Sequence, residues 1–439
     1  MSRPKREPPR EALTIESATH DGRGIAHVDG KVVFVSGALP GERVVALRRP
    51  RRRGFDEATT IEILTSAAGR VQPSCTHFGL CGGCSLQHAD AATQRALKQQ
   101  ALADNLARIG KIAPADWFEP ITGPVWHYRR RARLSARFVD KKGRMLVGFR
   151  EREGRGLVAD LAGCKVLAVP AGQLIAPLAE ALGGLRAARG IPQIEVAVAD
   201  NVTILVIRHL SPLDDADRAA LRAFAATHGV EIHLQPAGYE SVIPLDPPGT
   251  QATYALPEYG IEIRFAATDF VQVNGEVNRK MVARAVELLD AGPDNTALDL
   301  FCGIGNFTLP LARRAGHVTG VEGDAALVAR ATDNAVHNGI SNVEFHTADL
   351  FKSPGKAAWA TQRYDRLLLD PPRAGAQEII DHIPRWRPKR VVYVSCHPGT
   401  LSRDAGVLVK QHGYTLAGAG IIDMFPHTAH VESIALFIR

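Results

Sequence analysis

Three short segments near the C-terminal end carry groups able to make and break bonds. Ser395-Cys396-His397-Pro398 closes an apolar run with a thiol, and Asp370-Pro371-Pro372-Arg373 sets an acid before a stiff Pro-Pro corner. Phe425-Pro426-His427-Thr428-Ala429-His430-Val431-Glu432 adds two imidazoles and a carboxylate. A thiolate that adds to C6 of a pyrimidine turns C5, otherwise a poor nucleophile, into an enolate carbon able to attack an electrophilic methyl. A base must then take the C5 proton so that the thiol can leave. Cys396 is the candidate nucleophile and Glu432 the candidate base. Asp370 would hold the ring and stabilise the adduct. The plain alternatives are a buried structural thiol for Cys396 and an ion-pair partner for Glu432. His427 and His430 could instead be bases or metal ligands.

Asp299-Leu300-Phe301-Cys302-Gly303-Ile304-Gly305-Asn306-Phe307 has the character of a strand-to-helix turn around a small ligand. Gly303 and Gly305 let the backbone turn tightly and approach that ligand. Glu322 ends the next strand about 20 residues on, the spacing at which an acid meets ribose hydroxyls. Asp349 ends the third strand and could meet an adenine amino group. Carboxylates at successive strand ends suit the ligand edge of an open α/β sheet. Helix capping is the alternative for each acid alone. A nicotinamide dinucleotide is the competing ligand, but the third glycine of its motif is missing. The Asp299-x-Phe301-x-Gly303-x-Gly305 turn and the segments after it favour S-adenosylmethionine.

The elements that must position these residues follow a strict β/α alternation. A helix is predicted from Asn274 to about Leu289. Strands are predicted at Thr296–Leu300, His317–Glu322, Val343–Thr347, Arg366–Asp370, Arg390–Ser395, Tyr414–Asp423 and Glu432–Ile438, with helices between. This pattern predicts a doubly wound parallel sheet with an antiparallel edge, as in S-adenosylmethionine-dependent methyltransferases. A cytosine-directed enzyme normally carries its cysteine after the proline of the fourth strand. Here Pro372 stands at that place, so uracil is the preferred ring. Residues 125–265 read as a mixed α+β segment, with strands such as Arg131–Val139 and Glu231–Gln235 and helices near 170–189 and 213–228. Residues 89–110 read as a helix ending at Gly110. Residues 11–65 suggest five short strands in a small OB-like barrel. Residues 1–10 read as a basic, disordered tail.

Composition narrows the partners. The 439 residues are 45% hydrophobic and 23% charged, with a net charge of +7. That composition excludes wholesale disorder, and the length implies several domains. Residues 265–439 balance their Lys/Arg against their Asp/Glu, so the whole excess lies in residues 1–264. It concentrates in Arg48, Arg49, Arg51, Arg52 and Arg53, and in a run holding Arg129, Arg130, Arg131, Arg133 and Arg137 beside Trp126, Tyr128 and Phe138. Cations among aromatic rings suit RNA or DNA with unstacked bases, with a solvated face as the alternative. No stretch approaches the roughly 18 apolar residues of a membrane span, and the N-terminus has no apolar signal segment. The expected compartment is the cytoplasm, where cysteines are ligands or nucleophiles rather than disulfides. Cys75-x5-Cys81-x2-Cys84 in a Gly-rich loop, with Cys164 further on, offers four thiolates. Their spacing leaves zinc and an iron–sulfur cluster both open.

Two resemblances sharpen these readings. Asp21-Gly22-Arg23-Gly24-Ile25-Ala26, Val33-Phe34-Val35 and Gly37-Ala38-Leu39-Pro40-Gly41-Glu42 resemble the TRAM domain, an RNA-binding barrel. Nearly all of residues 11–439 resemble the bacterial 23S rRNA (uracil-5-)-methyltransferases that combine TRAM, an iron–sulfur cluster and a methyltransferase domain. The likeness rests on Phe270-Val-Gln272-Val-Asn274, Asp299–Asn306, Asp370-Pro-Pro-Arg373, Ser395-Cys396-His-Pro398, Leu401-Ser-Arg403-Asp404 and His427-Thr-x-His430-Val-Glu432. It implies a methyl-donor site of Gln272, Phe301, Asn306, Glu322, Asp349 and Asp370, with Phe270 stacking on the target base, while the basic run itself makes Arg129, Arg130, Arg131 and Arg133 the candidate RNA contacts. It also implies a [4Fe–4S] cluster on Cys75, Cys81, Cys84 and Cys164. Position 397, often Asn in relatives, is His here. The implied organisation is a TRAM barrel over 11–69, a central iron–sulfur and RNA-binding domain over 70–265, whose helix 89–110 packs on the catalytic domain, and a methyltransferase domain over 266–439. The implied partner is 23S rRNA, methylated by a monomer at the uridine numbered 1939. Alternatives are another rRNA or tRNA uridine, or an RNA-binding iron–sulfur protein without catalysis. A radical methylthiotransferase would need a CxxxCxxC triad and a β/α barrel ahead of TRAM, and neither is present.

Overall fold

The computed structural model describes residues 9–50, 54–154 and 156–439, and the chain forms two compact units. The basic tail, apart from Pro9 and Arg10, and Arg51, Arg52 and Arg53 lie outside the described residues. The first unit comprises the chain up to Gly79, Gly83–Ala101 and Phe425–His430. The rest of the chain makes the second.

In the first unit six strands, where five were predicted, share one sheet. They are β1 (Arg10–Thr14), β2 (Ser17–Ala18), β3 (Gly24–Val28), β4 (Lys31–Ser36), β5 (Arg43–Pro50) and β6 (Phe55–Thr65). Their order is β1-β5-β6-β4-β3-β2, with β4 and β6 parallel and the other pairs antiparallel. The alternation of apolar residues turns Leu13, Val33, Val35, Val44, Ala46 and Ala58 into one core. Buried Glu42 is held by Arg70 and by the backbone N–H groups of Leu39 and Ala67. Burial alone would raise its pKa, but these donors together bring it below the usual range.

The predicted helix over 89–110 forms as α1 (Ala91–Asn105), opened by the Asp90 carboxylate accepting from the Thr93 N–H at 2.7 Å. Wider turns continue it through Leu106–Gly110. Those last turns pack on the helix Pro398–Lys410, whose Lys410 Nζ donates to the Gly110 carbonyl. A Cβ at Gly110 would sit 2.7 Å from the Ser402 carbonyl, so only glycine permits this approach.

The second unit begins with β7 (Asp116–Trp117), β8 (Arg131–Val139), β9 (Arg144–Gly148), α2 (Ile175–Gly183), β10 (Gln193–Val198), β11 (Thr203–Arg208), α3 (Asp215–His228), β12 (Glu231–Gln235) and β13 (Ile243–Pro244). One sheet, β13-β12-β11-β10-β8-β9, packs with α2 and α3 around Leu134, Val147, Leu178, Val196, Ile207, Leu221 and Ile232. α2 is shorter than the predicted 170–189, because Pro170 precedes it and Gly183-Gly184 ends it. A hairpin of β14 (Ala252–Leu256) and β15 (Ile261–Phe265) follows.

Next come α4 (Gly275–Leu289), β16 (Thr296–Leu300), α5 (Thr308–Ala312), β17 (His317–Glu322), α6 (Ala325–His337), β18 (Val343–Thr347), β19 (Arg366–Leu369), α7 (Gln377–Ile380), α8 (Ile383–Trp386), β20 (Arg390–Ser395), α9 (Pro398–Lys410), β21 (Thr415–Ile422) and β22 (Glu432–Ile438). They build an eight-stranded sheet, β18-β17-β16-β19-β20-β22-β21-β7. The first five strands in that order run parallel, and β22 is antiparallel to both its neighbours, the edge predicted from sequence. Leu298, Val318, Leu368 and Val392 are buried in it, as central parallel strands require. The added β7, beside β21, was not predicted, since two residues carry no periodicity. The boundary expected after residue 265 falls inside this unit. There Arg264 and Asn334 exchange hydrogen bonds of 2.8 and 3.1 Å that stitch β15 to α6. No helix among the described residues is long and apolar enough to cross a membrane.

Candidate active site

A cleft of about 550 Å³ opens at the C-terminal ends of the parallel strands. Gln272, Phe301, Asn306, Glu322, Asp349 and Asp370, all read from sequence as donor-site residues, line it together with Phe270. The turn after β16 makes it possible. Phe301 sits at φ +66°, Gly303 at +55° and Gly305 at +93°, a backbone path in which glycines are needed. The Gly303 N–H donates to Glu322 at 3.1 Å, while the other Glu322 oxygen accepts from the Gly323 and Asp324 N–H groups at 2.6 and 3.2 Å. The carboxylate is thus fixed in orientation, with lone pairs left for vicinal hydroxyls.

Asn306 is fixed from residues that sequence reasoning missed. Its Oδ1 accepts from the Tyr254 hydroxyl and from Asn278 Nδ2, both at 2.9 Å, and its own Nδ2 donates to Asn278 Oδ1 at 3.0 Å. Tyr254 comes from β14, some fifty residues away in the chain, so no local pattern announces it. Asn278 follows the cap residue Asn274 by one helical turn, the only hint the sequence offers. Phe351 is also new. It lines the cleft against Phe301, ring centroids 5.9 Å apart, and its N–H donates to Asp349 at 3.0 Å. Asp349 is exposed and pairs with Lys352 at 2.8 Å; these two contacts hold its carboxyl below the ordinary range.

The lining contains three carboxylates and no Lys or Arg. Beneath it lies fully buried Asp299, whose Oδ2 accepts from the Thr308 hydroxyl at 2.6 Å. Its Oδ1 has no hydrogen-bond partner among the described residues. Burial, with the charges of Asp370 and Glu322 adding to it, pushes Asp299 up to about 7. Burial does the same to Asp370, also to about 7. A cleft of this size and charge suits a nucleoside bearing a cation and disfavours a pyrophosphate. The residues present therefore fit a sulfonium donor, whose positive charge would relieve the two strained carboxylates.

Cys396 follows β20 directly. It is half-buried, and Ser395 Oγ shapes the turn by accepting from the His397 N–H at 3.1 Å. Burial first, then the charges of Glu432 and Asp370, push its thiol up to about 11, with Arg373 acting in the opposite sense. Glu432 opens β22 and is buried. The fold therefore gathers Cys396, Glu432, Asp370 and Arg373 into one electrostatic neighbourhood, and Asp370 belongs also to the cleft wall. His427 has another task. Its N–H donates to Gln94 at 2.7 Å, and its carbonyl accepts from the Ser85 and Leu86 N–H groups, anchoring its loop in the first unit.

The four sequence-predicted metal ligands are half-buried cysteines, none of them in a disulfide. Cys75 and Cys84 belong to the first unit; Cys81 and Cys164 belong to the second and pack on its central core. Among the described residues, no group of three or more metal-ligating side chains is gathered as a ready-made site. The donor set, four thiols outside any disulfide, suits a soft metal or an iron–sulfur cluster. Of the basic run, Arg129 Nε donates to the Arg131 carbonyl at 2.9 Å, and Arg130 pairs with Asp200. Arg131 bonds the Ala267 carbonyl, and Arg133 reaches Glu195 at 3.0 Å.

The sheet order, the glycine turn and the acidic cleft define a methyltransferase of the α/β, S-adenosylmethionine-binding class. Residues 119–439 match the family described as tRNA (Uracil-5-)-methyltransferase, and residues 11–47 match the TRAM domain. The chain belongs to that methyltransferase family. It is 52% identical to the 23S rRNA (uracil(1939)-C(5))-methyltransferase RlmD of Stenotrophomonas maltophilia, over 95% of each chain. It is 51% identical to the enzyme of that name from Methylococcus capsulatus, over 100% of this chain and 99% of the relative. Among solved structures, a Pyrococcus abyssi tRNA (uracil-54, C5)-methyltransferase in complex with S-adenosyl-L-homocysteine shares the fold, with a TM-score of 0.74 and 21% identity. That match covers 98% of this chain and 100% of the other.

Proposed function

We propose that this chain methylates C5 of a uridine in 23S rRNA, the one numbered 1939 in its relatives' names. The reading is supported by the charges of Glu432 and Asp370 acting on the Cys396 thiol, and by Asp370 lining the acid-walled cleft. Gln272, Phe301, Asn306, Glu322, Asp349 and Asp370 would hold S-adenosylmethionine, which when bound supplies an electrophilic methyl. Cys396, as thiolate, adds to C6 of the uracil and pushes the ring electrons toward C5. Asp370, at the cleft wall, orients the ring edge and is poised near neutrality to donate or accept a hydrogen bond. After C5 has taken the methyl, Glu432 removes the C5 proton, and the electron pair returns through the ring to expel the Cys396 sulfur. Phe270, 72% exposed at the cleft mouth, offers a face on which the flipped-out base stacks.

Cys75, Cys81, Cys84 and Cys164 would hold a [4Fe–4S] cluster. A cluster with four protein thiolates has no open iron site for substrate, so its role is structural or RNA-facing. Protein purified without oxygen should show a broad visible absorbance that zinc cannot give, lost when Cys164 is replaced by Ser. The same reading makes the protein a cytoplasmic monomer with no obligate protein partner.

Mass mapping of a 23S rRNA transcript treated with the full chain and S-adenosylmethionine tests the assignment. One added methyl should appear on uridine 1939. Methylation confined to tRNA, or to another rRNA uridine, would overturn it.

A further inference from the structure

Away from the cleft, one surface of the central sheet carries a built pair that the reaction does not use. Tyr239, 49% exposed, and Arg133, with 59% of its side chain exposed, are bonded to each other through the phenol oxygen. Both are fastened from beneath by Glu195, whose side chain is only 8% exposed. Glu195 Oε1 accepts from the Tyr239 hydroxyl at 3.0 Å, from Arg133 Nε at 3.1 Å and from Gln193 Nε2 at 3.1 Å. Burying a carboxylate is costly, and here three donors converge on one of its oxygens. The loop behind Tyr239 is equally fixed. Ser241 Oγ accepts from the Ala237 N–H at 3.0 Å and donates to the Gly238 carbonyl at 2.6 Å. An exposed aromatic ring and an exposed guanidinium are thus held rigid at the surface, where loose side chains would serve for solubility alone.

The same buried acid points this pair toward the reaction site. Arg131, two residues from Arg133 on β8 and on the same face of the strand, also approaches Glu195, and its guanidinium bonds the Ala267 carbonyl. Ala267 and Asp269 begin the segment that delivers Phe270 and Gln272 to the cleft. The path from Tyr239 to the cleft mouth is therefore continuous: Tyr239 and Arg133, then Glu195, Arg131, Ala267 and Phe270.

We propose that Tyr239 and Arg133 form a docking platform for a second, unstacked nucleotide of the substrate RNA, the ring stacking on its base and the guanidinium meeting its phosphate. Aromatic faces accept any base, and arginine next to them neutralises the backbone. The platform fixes the strand whose target base is turned toward Phe270. This inference rests on the reading of the chain as an RNA methyltransferase.

The test uses the full chain and an oligoribonucleotide spanning uridine 1939, with RNA affinity measured over a range of salt and donor affinity measured separately. Tyr239→Ala should weaken RNA binding about tenfold with the salt slope unchanged. Tyr239→Phe, which keeps the ring and loses the bond to Glu195, should weaken RNA binding by much less than Tyr239→Ala. Arg133→Gln should lower the slope of log affinity against log salt by about one. Donor affinity should stay constant throughout, since neither residue lines the cleft. If Tyr239→Ala binds RNA normally, or Tyr239→Phe is as weak as Tyr239→Ala, the stacking platform is overturned. If the unaltered chain binds S-adenosylmethionine but not the RNA, the RNA reading itself fails and takes the platform with it.

Discussion

The donor cleft and the Cys396 corner sit at the ends of neighbouring strands, yet they are built on opposite plans. In the cleft the key polar groups arrive already satisfied: Glu322 by three backbone N–H groups, Asn306 by Tyr254 and Asn278. At the corner the groups are held in costly states. The thiol is pushed up to about 11 by burial and two carboxylates, and Asp370 to about 7. Satisfied groups bind without rearranging; frustrated ones wait for a substrate to relieve them. Binding and reaction thus rest mainly on differently prepared residues, with Asp370 the one shared between them.

The largest expected effect removes one region and spares the other. Cys396→Ala should lower methylation by more than about a thousandfold while donor affinity, by calorimetry, stays unchanged. Equal loss of both would mean that the two regions are one. Acidity gives the next contrast. Because the thiol must lose its proton, kcat/KM should rise about tenfold per pH unit from 7 towards 9, whereas donor binding should be nearly flat there. A flat kcat/KM profile would contradict the assigned nucleophile.

The converse variant acts on the cleft. Tyr254→Phe leaves Asn306 Oδ1 one donor short and should weaken donor affinity about fivefold, raising KM for the donor with kcat retained. In an Asn306→Ala background the same change should cost almost nothing, a coupling that a purely structural role would not produce. The last contrast concerns Asp299. Its folded pKa lies above its unfolded value, so the folded state holds the proton longer and stability from this group falls as pH rises from about 4 to 7. Asp299→Asn, followed by thermal unfolding without ligand, should therefore lose less stability than the unaltered chain between pH 5 and 8.

Distance along the chain separates the features legible in the sequence from those hidden in it. The predicted strands at 296–300, 317–322 and 390–395 match the observed ones because buried parallel strands are short apolar runs ended by turns, and the partly exposed edge strand at 343–347 matches through the β/α alternation. Glu322, Asp349 and Asp370, read at strand ends, line the cleft, as do Gln272, Phe301 and Asn306, which the family resemblance implies. Tyr254 and Asn278 were missed, since their roles exist only once β14 and α4 are folded against the turn, and Phe351 because its ring meets Phe301 only in the folded cleft. The basic run hid its partners in a related way. Arg130 and Arg131 read as free cations beside aromatics, but Asp200 and Glu195, some sixty to seventy residues later in the chain, pair with them. Charge partners across a sheet leave no trace in local spacing, so a run of arginines can be part anchor and part contact surface.

Glu432→Gln is the most direct test of the account, because it acts twice on the corner. Removing the carboxylate's charge eases ionisation of Cys396, and removing the base leaves the methylated ring unable to release the sulfur. Full-length Glu432→Gln protein, mixed with the 1939-region RNA and S-adenosylmethionine and resolved by denaturing gel and peptide mass, should carry a methylated RNA joined through Cys396. Normal turnover by this variant, or an adduct through another residue, would contradict the covalent mechanism.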